Sequence, residues 1–241
     1  MTLAQRLARR LGYDLIPRAK ARLLQAQLIA VLARFGISCV LDVGANAGQY
    51  GLTLRELGYR GRIVSFEPQA AAHRRLERRA GRDPLWRVAP RMALGDGDGE
   101  VDLEISAESD MSSLLPQSAL LRTVSPSSRI VGRERVRLAR LDGVIEDYLN
   151  PDEAIFLKID TQGYEAQVLA GAGRLLPRLR GVQLEMPLVP CYEGERGFRD
   201  LFDDLAAAGF SPFLFMPGYF ERKLARQLQI DGVFMRAGDE R

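Results

Sequence analysis

Four acids close apolar runs in this chain: Asp42 ends CVLD, Glu67 ends RIVSFE, Asp160 ends AIFLKID and Glu185 ends GVQLE. A carboxylate inside a buried run is costly, whereas one at the rim of a sheet can accept protons from hydroxyls or serve as a general base. Glu67 follows Asp42 by 25 residues, the span of one βαβ unit, and between them lies GANAGQYG. In an open α/β sheet, ligands bind beyond the carboxyl ends of the strands, where an acid on the second strand commonly holds a ribose. Glu67 is therefore the candidate ribose acid. Gly44 and Gly48 remove side chains where a nucleoside would approach the backbone, and Asn46 tolerates a left-handed turn.

The order DVGANAG differs from the dinucleotide pattern GxGxxG. With Asp42 in front of the turn, a cationic ligand suits it better than a pyrophosphate. The sulfonium and amino group of S-adenosylmethionine carry such charge.

Asp160 is the first candidate for the neighbourhood of a reacting hydroxyl, since a general base or a cation helps a poor oxygen nucleophile. TQGYE follows it directly, so a helix-capping role competes. Lys158 stands two residues back, on the same side of its strand. A lysine there needs a carboxylate partner. Glu185 is the candidate for that partner, or it lines the acceptor pocket. These three are the catalytic candidates. A divalent metal held by Asp160 with Glu185 or another acid is left open, although no ligand spacing demands one. His73, the one histidine, reads as a surface residue on an Arg-rich helix, and Trp86 as strand packing. Tyr192, Glu193 and Tyr219 fall in loops that could shape an acceptor pocket, and the Ser-rich stretch around Ser112 and Ser113 has the polarity of a lid.

The elements that must position these residues alternate. Helical spacing runs from Ala21 to Phe35, then strand Cys39–Asp42, a helix to Leu57, strand Arg62–Pro68, and a helix to Ala80. LWRVAPRMAL is a weaker third strand, with Pro90 pointing to an irregular end. VDLEI and VRLARLD alternate in the manner of hairpin strands, and 107–132 reads as a loop. Strands Ala154–Asp160 and Gly181–Pro187 are strongly apolar. A helix from Gly197 to Ala208 precedes SPFLFMP and a last strand, Ile230–Arg236. No helix fits between these two, so one of them is expected to run antiparallel. The fold class is α/β, a doubly wound and mostly parallel sheet.

At 241 residues, 46% hydrophobic and 27% charged, the chain suits one globular domain. The division expected is a basic helical extension, 1–35, and a ligand-binding domain, 36–241. Residues 1–25 carry six basic groups and one acid, so the rest of the chain holds 28 basic and 30 acidic groups, a net −2. That distribution disfavours a nucleic-acid enzyme, which spreads its basicity over a face. The basic end is either a solvated helix face or a segment resting on anionic lipid. No apolar run reaches the ~20 residues of a membrane span. The expected location is cytoplasmic, with contact to the inner membrane as the variant the basic end allows. Cys39 and Cys191 lack metal-like or disulfide-framework spacing.

The segments DVGANAGQY, GYRGRIVSFEP, ALGDGDG, SSLLP, FLKIDTQGYEAQVLAGA, QLEMPLVPCYEGE and QIDGVFMR follow one another as in the FkbM family of S-adenosylmethionine-dependent methyltransferases, which the chain resembles from Gly36 to Arg236. The resemblance implies a class I methyltransferase (Rossmann-like) fold of seven strands with the last antiparallel. It implies methyl transfer to a hydroxyl oxygen of a sugar, glycan precursor or glycosylated metabolite. Asp42, Gly44, Asn46 and Gly48 match the family's first motif at the methionine part of the cofactor. Glu67 matches the ribose acid. Ala93 and Leu94 fall where the family's third strand passes the adenine, although Pro90-Arg91-Met92 departs from the usual approach to ALGD. Two rivals remain at this point: an RNA 2′-hydroxyl methyltransferase using Lys158 and Asp160, and a non-catalytic cofactor-binding accessory subunit. A homodimer is left open.

Overall fold

The computed structural model describes residues 23–236 and Gly238, so residues 1–22, which carry all six basic groups of the stretch 1–25, lie outside the described residues. The described chain begins with α1 (Leu23–Arg34), β1 (Cys39–Val43), α2 (Gln49–Glu56), β2 (Arg62–Phe66), α3 (Ala70–Ala80) and β3 (Trp86–Val88). It continues through β4 (Ala93–Gly95), β5 (Gly99–Ser106), α4 (Ala119–Val124), β6 (Ile130–Arg140) and α5 (Leu141–Val144). Then follow β7 (Ile155–Ile159), α6 (Glu165–Gly171), β8 (Leu179–Pro187), α7 (Phe198–Ala207) and β9 (Phe210–Pro217). Two-residue strands β10 (Phe220–Glu221) and β11 (Arg226–Gln227) precede the last strand, β12 (Gln229–Arg236).

Seven strands form one sheet in the order β3-β2-β1-β7-β8-β12-β9. β12 runs antiparallel to both neighbours, while β3, β2, β1, β7 and β8 pair in parallel. The expected doubly wound α/β sheet with one antiparallel strand at the C-terminal end is what the chain forms. Every residue of β1 and β7 is buried, as central parallel strands covered on both faces must be. Side chains alternate between faces. Leu41, Val64, Leu157 and Leu184 pack under α5, α6 and α7. Val40, Ile63, Phe156 and Val233 pack under α1, α2 and α3. Alternation places Asp42, Lys158 and Gln183 on this second face. α1 is bound to it through Leu28 and Leu32, and Phe35 meets Phe213 edge-on at 5.1 Å.

Two expectations are corrected here. Ala93 and Leu94 are not on the third strand of the main sheet. The chain breaks after Val88, Pro90 cannot donate to the ladder, and Ala93–Gly95 joins a separate three-stranded sheet, β4-β6-β5. His73 is buried, at 6% exposure. It lies on the inner side of α3 with Ala72 and Leu76, and its Nε2 is 2.8 Å from the Ala89 carbonyl. The Arg-rich face of α3 belongs to Arg74, Arg75, Arg78 and Arg79, which are exposed.

Candidate functional site

The glycine turn after β1 puts Asn46 at φ 45° and Gly44 at φ 73°. The Gly44 and Ala45 amides donate to the Phe66 carbonyl at 3.1 Å, so the turn is tied to the end of β2. Glu67 follows at once. Its Oε2 accepts the Asn46 amide and its Oε1 the Gln69 amide, both at 2.7 Å. Burial pushes the Glu67 carboxyl up to about 7, against those two hydrogen bonds, which favour its ionised form.

The glycines act differently from the expectation. A Cβ on Gly44 would stand 1.8 Å from the Asp160 carbonyl oxygen, and one on Gly48 would press on Leu76 and Trp86. A Cβ on Gly51 would stand 2.3 Å from the Trp86 ring. These glycines therefore admit neighbouring protein, and of the three only Gly44 lines the cleft. Trp86 is packing, as expected, with its Nε1 donating to Ser65 at 3.0 Å.

The cleft encloses about 640 Å³, open solvent at its mouth included. Gly44, Asn46 and Glu67 line it together with Asp160, Thr161 and Gln162, and Phe66, Met92, Ala93 and Leu94 supply apolar wall. Ala93 and Leu94 thus reach the cleft from the second sheet. The Ser-rich segment forms part of the wall through Ser109, Asp110, Ser112 and Leu114. Asn46 Nδ2 donates to Ser109 at 3.3 Å and Gln69 Nε2 to Ser112 at 3.4 Å.

An adenosyl compound fits this donor set. Each Glu67 oxygen accepts one backbone amide, which leaves each a lone pair for a ribose hydroxyl, and the apolar walls suit a base.

Asp42 does not face the cleft. It is fully buried, accepts the Ser65 hydroxyl at 3.2 Å, and lies 3.0 Å from Lys158 Nζ. Its charge is matched within the protein by Lys158, and against the expectation it does not face a cationic ligand in the cleft. Glu185 likewise is not the partner of Lys158. The parallel register sets Lys158 directly beside Asp42, with Asp160 Oδ2 3.6 Å away. Lys158 Nζ also donates to the carbonyls of Gly44 and Val43 at 3.2 and 3.4 Å. Burial works against the ammonium, but Asp42 and Asp160 outweigh it and hold the Lys158 pKa above its ordinary value.

Asp160, in the cleft lining, and Glu185, outside it, are drawn together by a residue that was not among the candidates. Gln162 Nε2 donates to Asp160 Oδ1 and to Glu185 Oε2, each at 2.8 Å. Gln229 Nε2 donates to the same Glu185 oxygen at 2.9 Å. Burial, then repulsion from Asp160, Glu165 and Asp231, lifts the Glu185 pKa well above its ordinary value. Glu165 is the capping acid of the TQGYE turn: its Oε1 accepts the Thr161 amide and hydroxyl at 2.7 and 3.1 Å. Tyr192 is buried and its hydroxyl donates to Gln162 Oε1 at 2.9 Å. Tyr219 donates to Glu221 at 2.8 Å, and the exposed Glu193 pairs with Arg122 at 3.6 Å. Among the described residues no group of three or more His, Cys, Asp or Glu stands together as a metal site. No helix among them is long and apolar enough to cross a membrane.

The model of the methyltransferase FkbM domain matches residues 42–212. The 2-O-methyltransferase NoeI of Sinorhizobium fredii (strain NBRC 101917 / NGR234) is 28% identical over 172 residues, covering 68% of this chain and 69% of NoeI. The AMB antimetabolite synthetase AmbE of Pseudomonas aeruginosa is 30% identical over 175 residues, 61% of this chain, and this chain spans 8% of its length. Among solved structures, magnesium protoporphyrin IX methyltransferase (ChlM) from Synechocystis PCC 6803 with bound SAH aligns at a TM-score of 0.48 and 12% identity, covering 95% of this chain and 92% of that one.

Proposed function

The chain belongs to the FkbM methyltransferase family, whose methyl donor is S-adenosylmethionine, and from that premise we propose that it methylates a hydroxyl oxygen of a sugar, glycan precursor or glycosylated metabolite. The observation that carries this reading is that Asp160, bridged through Gln162 to Glu185, lines the same cleft as Glu67. The resemblance to a 2-O-methyltransferase supports oxygen as the acceptor atom.

The sulfonium of S-adenosylmethionine supplies an already activated methyl group, so the protein mainly has to align the acceptor and manage its proton. Glu67 would hold the two ribose hydroxyls with the lone pairs its backbone donors leave free. Asp160, partly exposed in the lining of the cleft and 3.6 Å from Lys158, is placed to accept the hydroxyl proton. The walls at Phe66, Met92 and Leu94 exclude water from the adenosyl half.

The test is incubation of the purified protein with methyl-tritiated S-adenosylmethionine and three acceptor pools: oligosaccharides, glycolipid extract and total RNA. Label in a base-stable ether on the oligosaccharide or glycolipid supports the reading. Label on RNA alone overturns the acceptor class and restores the 2′-hydroxyl alternative.

A further inference from the structure

Gln162 has an unusual setting for a residue whose type suggests no chemistry. It is one of three described non-glycine residues at positive φ, at 58°, a conformation that costs a side-chain-bearing residue on the order of 1 kcal/mol. Such strain persists where surrounding contacts over-determine it. Here there are four. Its amide nitrogen donates one proton to Asp160 and one to Glu185. Its amide oxygen accepts from Tyr192, and its carbonyl accepts the Ser113 hydroxyl at 2.6 Å. The two carboxylate oxygens fix which end of the amide faces them, because the NH₂ is the donor end. The Tyr192 hydroxyl, which also lies 3.3 Å from the Met111 carbonyl, meets the amide oxygen on the other side. Ser113 and Tyr192 come from two segments remote in sequence, so one residue ties both segments to both acids.

Two carboxylates held this close repel each other, and such pairs are usually reconciled by a shared proton or a cation between them. The Gln162 amide occupies that place with its two N–H groups. We propose that Gln162 is the positioning residue of the acid pair, its single amide nitrogen fastening Asp160 and Glu185 into one unit and standing where a divalent cation would otherwise bridge them. Oδ2 of Asp160, 3.6 Å from Lys158 Nζ, and Oε1 of Glu185 take no part in the bridge. The unit is set among Lys158 on β7, Asp42 on β1, Glu165 on α6 and Asp231 on β12, so its net charge depends on a neutral residue at 162. This inference rests on the methyltransferase reading for its role, while its geometry stands apart from it.

The experiment compares wild type, Gln162→Glu and Tyr192→Phe, using Mn²⁺ as the probe. Glutamate at 162 replaces the two donors by a third acid, and its ionisation opposes folding, so the cost grows as pH rises. The melting temperature of Gln162→Glu is expected to fall from pH 5.5 to pH 8 by about 5 °C more than that of wild type. Addition of 1 mM Mn²⁺ at pH 8 is expected to restore that loss, with the bound-metal signal appearing by electron paramagnetic resonance and no shift in wild type. A residue that only braces the loop would lose stability without metal rescue. Equal response of wild type and Gln162→Glu to Mn²⁺, or a loss that the metal does not restore, overturns the proposal. If Gln162→Glu fails to fold, Tyr192→Phe decides. The Gln162 side-chain amide protons should exchange with water about fivefold faster once the phenol bond is gone, and unchanged exchange overturns the assignment. Binding of S-adenosylhomocysteine to wild type is measured in the same preparations. Its absence would remove the methyltransferase reading while the Mn²⁺ result still judges the position of Gln162.

Discussion

Glu67 and the Asp160–Glu185 pair are held by different means. Glu67 is held by backbone amides, from Asn46 in the turn of the preceding strand and from Gln69 two residues on. Asp160 and Glu185 are held by side chains, the amides of Gln162 and Gln229, and Gln162 is itself held by Tyr192 and Ser113 from remote segments. Backbone donors come with the fold and survive substitution of their side chains. Side-chain donors can be changed one residue at a time without disturbing the sheet. The Glu67 site is therefore suited to a constant ligand and the Asp160–Glu185 pair to a changing one. The buried Asp42–Lys158 pair welds β1 to β7 and belongs to neither ligand.

The largest expected effect breaks that weld. Lys158→Met leaves Asp42 buried without its cation and should cost about 3–5 kcal/mol in urea unfolding. Asp42→Asn combined with Lys158→Met should cost less than the sum of the two single changes, because it removes both charges. An additive result would mean that the pair is not a unit. Next, Asp160→Asn should lower methyl transfer at least ~100-fold while S-adenosylhomocysteine affinity changes by less than about threefold. Equal loss of binding and turnover would erase the distinction between Glu67 and the pair. Gly51→Ala, which drives a methyl into the Trp86 ring, should cost about 1–3 kcal/mol of stability without touching the cleft. The smallest effect is on pH dependence. Glu67 is raised to about 7 by burial, and ribose hydroxyls prefer its ionised form. Affinity for S-adenosylhomocysteine should therefore be highest above pH 7 and weaken by up to about tenfold per unit below it, as read by calorimetry from pH 8 to pH 5.5.

The same contrast explains how much of the site was legible in the sequence. Glu67 could be placed because a local βαβ spacing and a glycine turn fix it, and the order of apolar runs gave the sheet and its antiparallel strand. Gln162 carried no signal beyond a Gln-Gly turn, since its partners lie 23, 30 and 49 residues away. The partner of Lys158 was misjudged for a related reason: strand order decides it, and β1 pairs with β7 across more than a hundred residues. His73 and the displaced strand β4 failed on local grounds. An Arg-rich helix still has an inner face, and Pro90 ends one sheet where Met92–Ala93 enters another.

The most direct test of the account is titration calorimetry of wild type and Glu67→Gln with S-adenosylhomocysteine and with NAD. The account predicts binding of the adenosyl compound to wild type, at least ~10-fold weaker binding to the variant, and no measurable binding of NAD. Equal affinity of the two proteins, or binding of NAD in place of the adenosyl compound, would contradict it.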